Sequence, residues 1–390
     1  MSGTPFYLLR CGTSRGPFFW ANALPSTVAA RDALLCAAMG SGSPGQIDGI
    51  GGGTAVTSKA VFVAQAPADD PHADIEYNFA QVGVRDRQVN HSHGDCLNML
   101  AGVTPFVLAS AVADKVGSEC RRGDSAARPL RIRSMETGLL AEQWVDSSEE
   151  GDTGRSGHLN TVATRMVGCA GAITGKILPA GTSIVTLKDG LRVSVVDFSR
   201  VMVIVDADAV GVGVDTNMDD PALCARLEAV RLAAAQAAGM GDCSHRDSPK
   251  LCVVANISDQ RVSVDGARLR AWYWVNPGRC ESHPSLAITG ASCLAAACEI
   301  PGTVPHNLLG DATASWLRAS GSTSGSPSSG AVDEELECAV YKFEHGLGVR
   351  SVTLWRQSGA TPHGVAYNNS VRILASGELY VDEEQLDVQQ

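Results

Sequence analysis

Lysine is scarce in this chain, with six among 390 residues against twenty-five arginines. The formal charge is −11 and the isoelectric point near 5.3. Nucleic-acid surfaces and anionic membrane faces need clustered basic residues, so neither is an expected partner. No run approaches the ~18 apolar residues of a membrane span. The first residues, M-S-G-T-P-F-Y-L-L-R, show no basic region followed by an apolar one, and a cytoplasmic protein is expected. Twelve cysteines are scattered singly, and C-x-x-C is missing. That pattern argues against a disulfide framework and a zinc site and fits reduced thiols. Cys36, Cys224, Cys252 and Cys298 lie in apolar or alanine-rich runs and read as core.

What is present is globular: 44% hydrophobic and 19% charged residues, enough for two cores. The boundary is placed at residues 1–180 and 181–390, the last strands returning to the first domain. One stretch stands out. Residues 39–53, M-G-S-G-S-P-G-Q-I-D-G-I-G-G-G, are glycine-rich and free to approach a ligand closely. An apolar β-like run follows at 60–64, and Lys59 sits at the seam. A lysine there is a candidate acid/base residue. A dinucleotide or phosphate-loop reading fails, because no strand precedes the glycines, no helix follows them and the Gly-Lys-Ser/Thr order is absent.

Taken in order, residues 6–9 and 17–20 read as strands joined by R-C-G-T-S-R-G, whose Thr13, Ser14 and Arg15 can point donors at an anion. Ser26 is the expected cap of a helix running to residue 38. Residues 74–84 alternate as a half-buried strand. In V-N-H-S-H-G-D-C-L-N-M-L at 89–100 the spacing turns helical near Leu97, placing Cys96 in the first turn of a helix that continues through a core. The positive helix end favours a thiolate, making Cys96 a second proton carrier, with His91, Ser92, Asp95 and Asn98 as polar neighbours. His91 and His93 lack a third ligand at metal spacing. Further strands are expected at 128–145, 184–187, 191–196, 201–205, 251–256 and 269–275. A helix over 220–239 is capped by Asp219 or Asp220 with Pro221 first. Residues 146–158 and the low-complexity tract 319–331 read as surface loops. His283, then Thr289-Gly290 opening a small-residue helix, mirror the Cys96 segment.

With these segments in view, the chain resembles the 2-methylaconitate cis–trans isomerase family, which also holds 4-oxalomesaconate tautomerases and aconitate delta-isomerases. The likeness rests on R-C-G-T-S-R-G at 10–16, M-G-S-G-S-P-G-Q-I-D-G-I-G-G-G-T-A-V-T-S-K at 39–59, G-D-C-L-N at 94–98, S-L-A-I-T-G-A-S-C at 285–293 and P-G-T-V at 301–304. It implies an α+β, diaminopimelate epimerase-like fold. Two similar domains would each wrap a barrel-like sheet around a central helix, the site lying in the cleft between them. It implies Lys59 and Cys96 as the proton carriers, no cofactor and no metal. Thr13, Ser14, Arg15, Gly53, Thr57, Ser58, His91, Ser92, Asp95, Asn98, His283, Thr289 and Gly290 would meet the substrate. Three departures from the family's usual motifs are C-G-T-S-R-G, Asp95-Cys96-Leu97-Asn98 and His345-Gly346-Leu347-Gly348, and they point to an altered substrate.

The expected reaction is a cofactor-independent allylic proton transfer on a small unsaturated tricarboxylate, first of all cis-aconitate to trans-aconitate. The alternatives are 2-methylaconitate isomerisation and 4-oxalomesaconate tautomerisation. A two-cysteine racemase would need a thiol facing Cys96, and Cys293, inside its helix, reads as core. A non-catalytic metabolite-binding protein is the remaining reading. A homodimer is an admissible assembly.

Overall fold

The computed structural model describes residues 3–91, 95–110, 121–122, 128–146, 159–257, 265–310, 316–318 and 336–381. The chain divides into two units, Met1–Thr164 with Asn368–Gln390, and Arg165–Tyr367. The expected loop at 146–158 and the tract 319–331 fall almost wholly outside the described residues.

The first unit opens with the hairpin β1 (Thr4–Cys11) and β2 (Ser14–Trp20), then α1 (Val28–Met39), β3 (Lys59–Gln65), β4 (Ile75–Val82) and β5 (Val89–Asn90). Two short helices follow, α2 (Leu97–Leu100) and α3 (Val103–Ala109), then β6 (Arg121–Arg122), β7 (Leu130–Ser134), β8 (Leu140–Asp146) and β9 (Leu159–Val167). Its sheet runs β8, β7, β4, β3, β2, β1, and β1 takes the C-terminal half of β19 (Gly364–Leu379) on its other edge. The cap of α1 is Thr27 instead of Ser26: its Oγ1 accepts from the Ala30 N–H at 3.3 Å, and Gly40 ends the helix at φ 68°.

Strand alternation gives β3 two faces. Ala60 and Phe62 join Phe19, Leu34, Leu35, Met39, Ala80 and Val82 under α1. Lys59, Val61 and Val63 lie on the opposite face. The helix that begins after Cys96 is broken where a continuous one was expected. Pro105 has no N–H, and its ring would clash with the carbonyl four residues back, that of Ala101, so the chain stops at Ala101-Gly102 and restarts.

The second unit repeats this order. β10 (Val185–Thr186) pairs with β11 (Arg192–Asp197), which forms a hairpin with β12 (Val201–Asp206); the one-turn α4 (Ala207–Val210) and the long α5 (Pro221–Ala237) lead to β13 (Lys250–Asn256), β14 (Leu269–Asn276) and β15 (Glu281–His283). Then come α6 (Ile288–Glu299), α7 (Val304–Leu309), β16 (Leu317–Arg318), β17 (Leu336–His345) and β18 (Gly348–Gln357). The sheet order is β18, β17, β14, β13, β12, β11, β10. In each unit the strand after the long helix is parallel to the hairpin's second strand, β3 to β2 and β13 to β12.

Asp220 caps α5, its Oδ2 accepting from Leu223 N–H at 2.8 Å, with Pro221 first. Leu223, Leu227, Val230 and Ala234 of that helix pack on Val193, Val203, Leu251 and Trp272. Every residue of α6 from Ile288 to Cys298 is buried, as expected of a helix of small apolar residues enclosed by its own sheet. Cys293 belongs to that core, with Sγ 3.4 Å from the Val196 carbonyl. Cys224 departs from the expectation of free core thiols: it is joined to Cys280, with 5.3 Å between their Cα atoms. Fifty-six residues separate the two in sequence, and only the turn after β14 brings Cys280 onto α5. Among the described residues no helix is long and apolar enough to cross a membrane.

Candidate active site

Lys59 is 7% exposed at the start of β3. Its Nζ donates to Gln81 Oε1 at 2.7 Å and lies 5.1 Å from the centre of the Phe79 ring. Gln81 stands opposite Lys59 in the ladder, and its amide donates to the Ala55 and Ser58 carbonyls at 3.0 and 2.8 Å, so the oxygen that receives Lys59 is fixed. A neutral amide and a ring face are this ammonium's partners among the described residues. A charged hydrogen bond of this kind contributes about 1.5–3 kcal/mol, while burying an ion costs several. An incoming carboxylate would therefore be well placed.

The glycine-rich stretch is held by Gln46, a residue that sequence reasoning passed over. Its Nε2 donates to Ser58 Oγ at 2.8 Å and its Oε1 accepts from Gly53 N–H at 2.9 Å. Thr57 Oγ1 is shared with Thr54 Oγ1 at 2.7 Å. Arg15 binds the same stretch, its backbone N–H donating to Val56 O at 2.9 Å and its Nη2 reaching Ile50 O at 3.5 Å. Gly16 brings hairpin and lysine together: a Cβ on it would fall 1.8 Å from the Lys59 carbonyl oxygen and 3.2 Å from Met99 Cε, so only glycine fits.

Cys96 is the N-cap residue of α2, one position earlier than expected, and no side chain caps that end. Its carbonyl accepts from Leu100 N–H at 2.8 Å and from Tyr77 OH at 3.2 Å. Asp95 is 1% exposed, and its two oxygens accept from Ser134 Oγ at 2.6 Å and Thr137 Oγ1 at 2.7 Å. With both oxygens engaged, Asp95 anchors the backbone that presents Cys96. Asn98 reaches the hairpin, its Nδ2 lying 3.1 Å from Thr13 Oγ1 and 3.5 Å from Ser14 Oγ, and Asn369 Nδ2 donates to its Oδ1 at 3.4 Å. The hairpin, the Lys59 strand and the Cys96 segment thus meet around β2.

His91 lies elsewhere. Its Nε2 is 2.5 Å from Asp32 Oδ1 on α1, and its ring meets Phe62 edge-on, on the face of β3 opposite Lys59. Ser92 lies outside the described residues. His283, Thr289 and Gly290 belong to the second unit. There His283 Nδ1 is held by the Ser285 backbone and its ring stands edge-on to Tyr273, and Gly290 packs on the Tyr273 ring. No sequence signal pointed to Gln81, Gln46 or Tyr77, since single polar or aromatic residues inside alternating strands carry no spacing signature.

Residues 1–350 match the PrpF protein family. The chain is 34% identical over 321 residues to the putative isomerase YbhH of Escherichia coli K12, covering 79% of this chain and 86% of that one. It is 34% identical to the 4-oxalomesaconate tautomerase of Pseudomonas putida, covering 78% and 82%, and 30% identical to the 3-methylitaconate isomerase of Eubacterium barkeri, covering 79% and 84%. A crystal structure of methylitaconate-delta-isomerase superposes with a TM-score of 0.66 at 25% identity, covering all of this chain and 98% of the other. The diaminopimelate epimerase-like α+β fold agrees with that neighbour. The chain belongs to the PrpF family and is an isomerase.

Proposed function

We propose that this isomerase moves a double bond in a small unsaturated polycarboxylate by allylic proton transfer, with Lys59 and Cys96 as the proton carriers. One group removes a proton from the carbon next to the double bond. The electron pair spreads over the three-carbon unit into the adjacent carboxylate, and the other group returns a proton at the far end or with the opposite geometry. No redox change and no leaving group are involved. The observation that carries this reading is the buried Lys59 held on a neutral amide, in the same unit as an uncapped Cys96 and the Asn98-Thr13-Ser14 cluster. Hydroxyl and amide donors of that cluster suit the negative charge that develops on carboxylate oxygens.

Aconitate is the first candidate substrate. Relatives are named for oxalomesaconate, methylitaconate and 2-methylaconitate, all unsaturated acids. Presenting cis-aconitate, 2-methylaconitate and oxalomesaconate in turn, with ultraviolet detection and NMR identification of products, selects among them. Lys59→Ala and Cys96→Ser should each lower kcat by roughly 10²–10⁴-fold, the contribution of a positioned acid or base, with unchanged far-ultraviolet circular dichroism. Near-normal turnover in the Lys59 variant would sink the assignment.

A further inference from the structure

The hydroxyl cluster of the first unit contains a side chain from the far end of the sequence. Asn369, on β19, is 4% exposed and lies in the segment Asn368–Gln390 that joins this unit. The hairpin turn packs onto it: Gly12 N–H donates to the Ser370 carbonyl at 2.8 Å, and a Cβ on Gly12, at φ 58°, would fall 2.5 Å from Asn369 Oδ1. A glycine there lets the turn that carries Thr13 and Ser14 come down on this amide.

A side-chain amide can be turned end for end, so its partners decide which end faces where. A backbone N–H has no such freedom. Ser370 N–H donates to Asn369 Oδ1 at 3.1 Å, which fixes that oxygen and leaves Nδ2 to donate to Asn98 Oδ1 at 3.4 Å. With its oxygen taken, Asn98 turns Nδ2 to the hairpin, 3.1 Å from Thr13 Oγ1 and 3.5 Å from Ser14 Oγ. Its two N–H bonds match the two hydroxyls. Each hydroxyl thus accepts a hydrogen bond and keeps its own proton to give. Among the described residues neither has a second hydrogen-bond partner, and Ser14 is 1% exposed. Buried donors are seldom left unused, and O–H donors suit a carboxylate. Were Asn98 reversed, its oxygen would take both protons and the hydroxyls would turn lone pairs outward, which repel an anion.

We propose that Asn369 is a positioning residue: acting through Asn98, it keeps the Thr13 and Ser14 hydroxyl protons free to donate to a carboxylate of the substrate. The ligand class rests on the proposed function; the direction of the hydrogen bonds rests on the contacts named. A double-mutant cycle tests it. Asn369→Leu, close in shape but without a donor, is made in wild type and in the Thr13→Val/Ser14→Ala background. Two quantities are read in the full chain: kcat/KM on whichever of cis-aconitate, 2-methylaconitate and oxalomesaconate is turned over, and the calorimetric affinity for tricarballylate, which is saturated and cannot undergo allylic transfer. Asn369→Leu should lower both by roughly 10–100-fold in wild type, the range for a hydrogen bond to a charged group, and by less than about threefold where the hydroxyls are gone. A side chain that merely holds the fold would act equally in both backgrounds. Asn369→Asp, whose oxygen can still accept from Ser370 N–H, covers the case in which the leucine variant fails to fold; its effect should likewise be at least fivefold smaller without the hydroxyls. Equal effects in the two backgrounds, or wild-type turnover and binding in the folded variants, overturn the role of Asn369. Tricarballylate binding that shows the coupling without turnover of any unsaturated acid overturns the proposed function and leaves the positioning role standing. Neither binding nor turnover by wild type overturns both.

Discussion

His345 stands at the end of β17, where burial, then the charge of Arg350, pushes its imidazole from the ordinary 6.5 down to about 4. The unfolded chain takes up this proton near pH 6.5 and the folded one only near 4. Native stability is therefore complete above pH 6.5 and is lost as the pH falls from there to 4. Unscreened, the shift corresponds to about 3 kcal/mol, and for a half-exposed ring solvent screening leaves ~1–2 kcal/mol. Urea midpoints at pH 7.5 and 4.5 should fall further for wild type than for His345→Gln. Equal losses in the two proteins would show that this imidazole is not the titrating group. Other single residues reach beyond their size in the same way: Gln81 fixes Lys59, Gln46 fixes the glycine stretch, and Asp95 fixes the backbone before Cys96.

Among the elements, β2 and β3 decide the site. Their parallel pairing forces the chain at Gly16 against the Lys59 carbonyl, and both atoms a Cβ would strike there, the oxygen at 1.8 Å and the carbon at 2.7 Å, are backbone. Neither can swing aside. Gly16→Ala should cost about 3 kcal/mol or more, at the upper end of overpacking, read as a lowered urea midpoint together with loss of turnover. A variant within ~0.5 kcal/mol of wild type would contradict this packing. The helix pair α2 and α3 shows the reverse case, in which a local rule wins. Pro105 interrupts a continuous apolar pattern, leaving Cys96 at the head of a four-residue helix.

At the scale of the whole molecule, the two units share an element order and a sheet order while their sequences show no repeat. The topology is duplicated without its residues: the first copy carries Lys59 and Cys96, and the second has Lys250 near Asp247 and Ala287 at the helix cap. The second unit is also tied by the Cys224–Cys280 bond. Closing a loop of 56 residues is worth roughly 4 kcal/mol in the chain-entropy account. Denaturation with alkylation but no reductant should label two cysteines fewer than after reduction, and reductant should lower the melting temperature. Full labelling without reductant would show the pair to be open.

Much was legible in the chain itself. Alternation in 74–84, the unbroken apolar run at 201–205, Pro221 behind an acidic cap, and the small-residue run after Thr289 are legible because each is a local preference of backbone and solvent. Lys59 was legible as an oddity of composition at a seam between loop and strand. What the sequence by itself determined, then, is the set of elements, their caps and the residue types fit for proton transfer. The tertiary structure alone decided which of those residues meet. It set His91 on the far face of β3 with Asp32, joined Cys224 to Cys280 and put Gln81 under Lys59. The physical reason is that strand register and sheet order fix these meetings, and both are settled by packing between segments far apart in the chain.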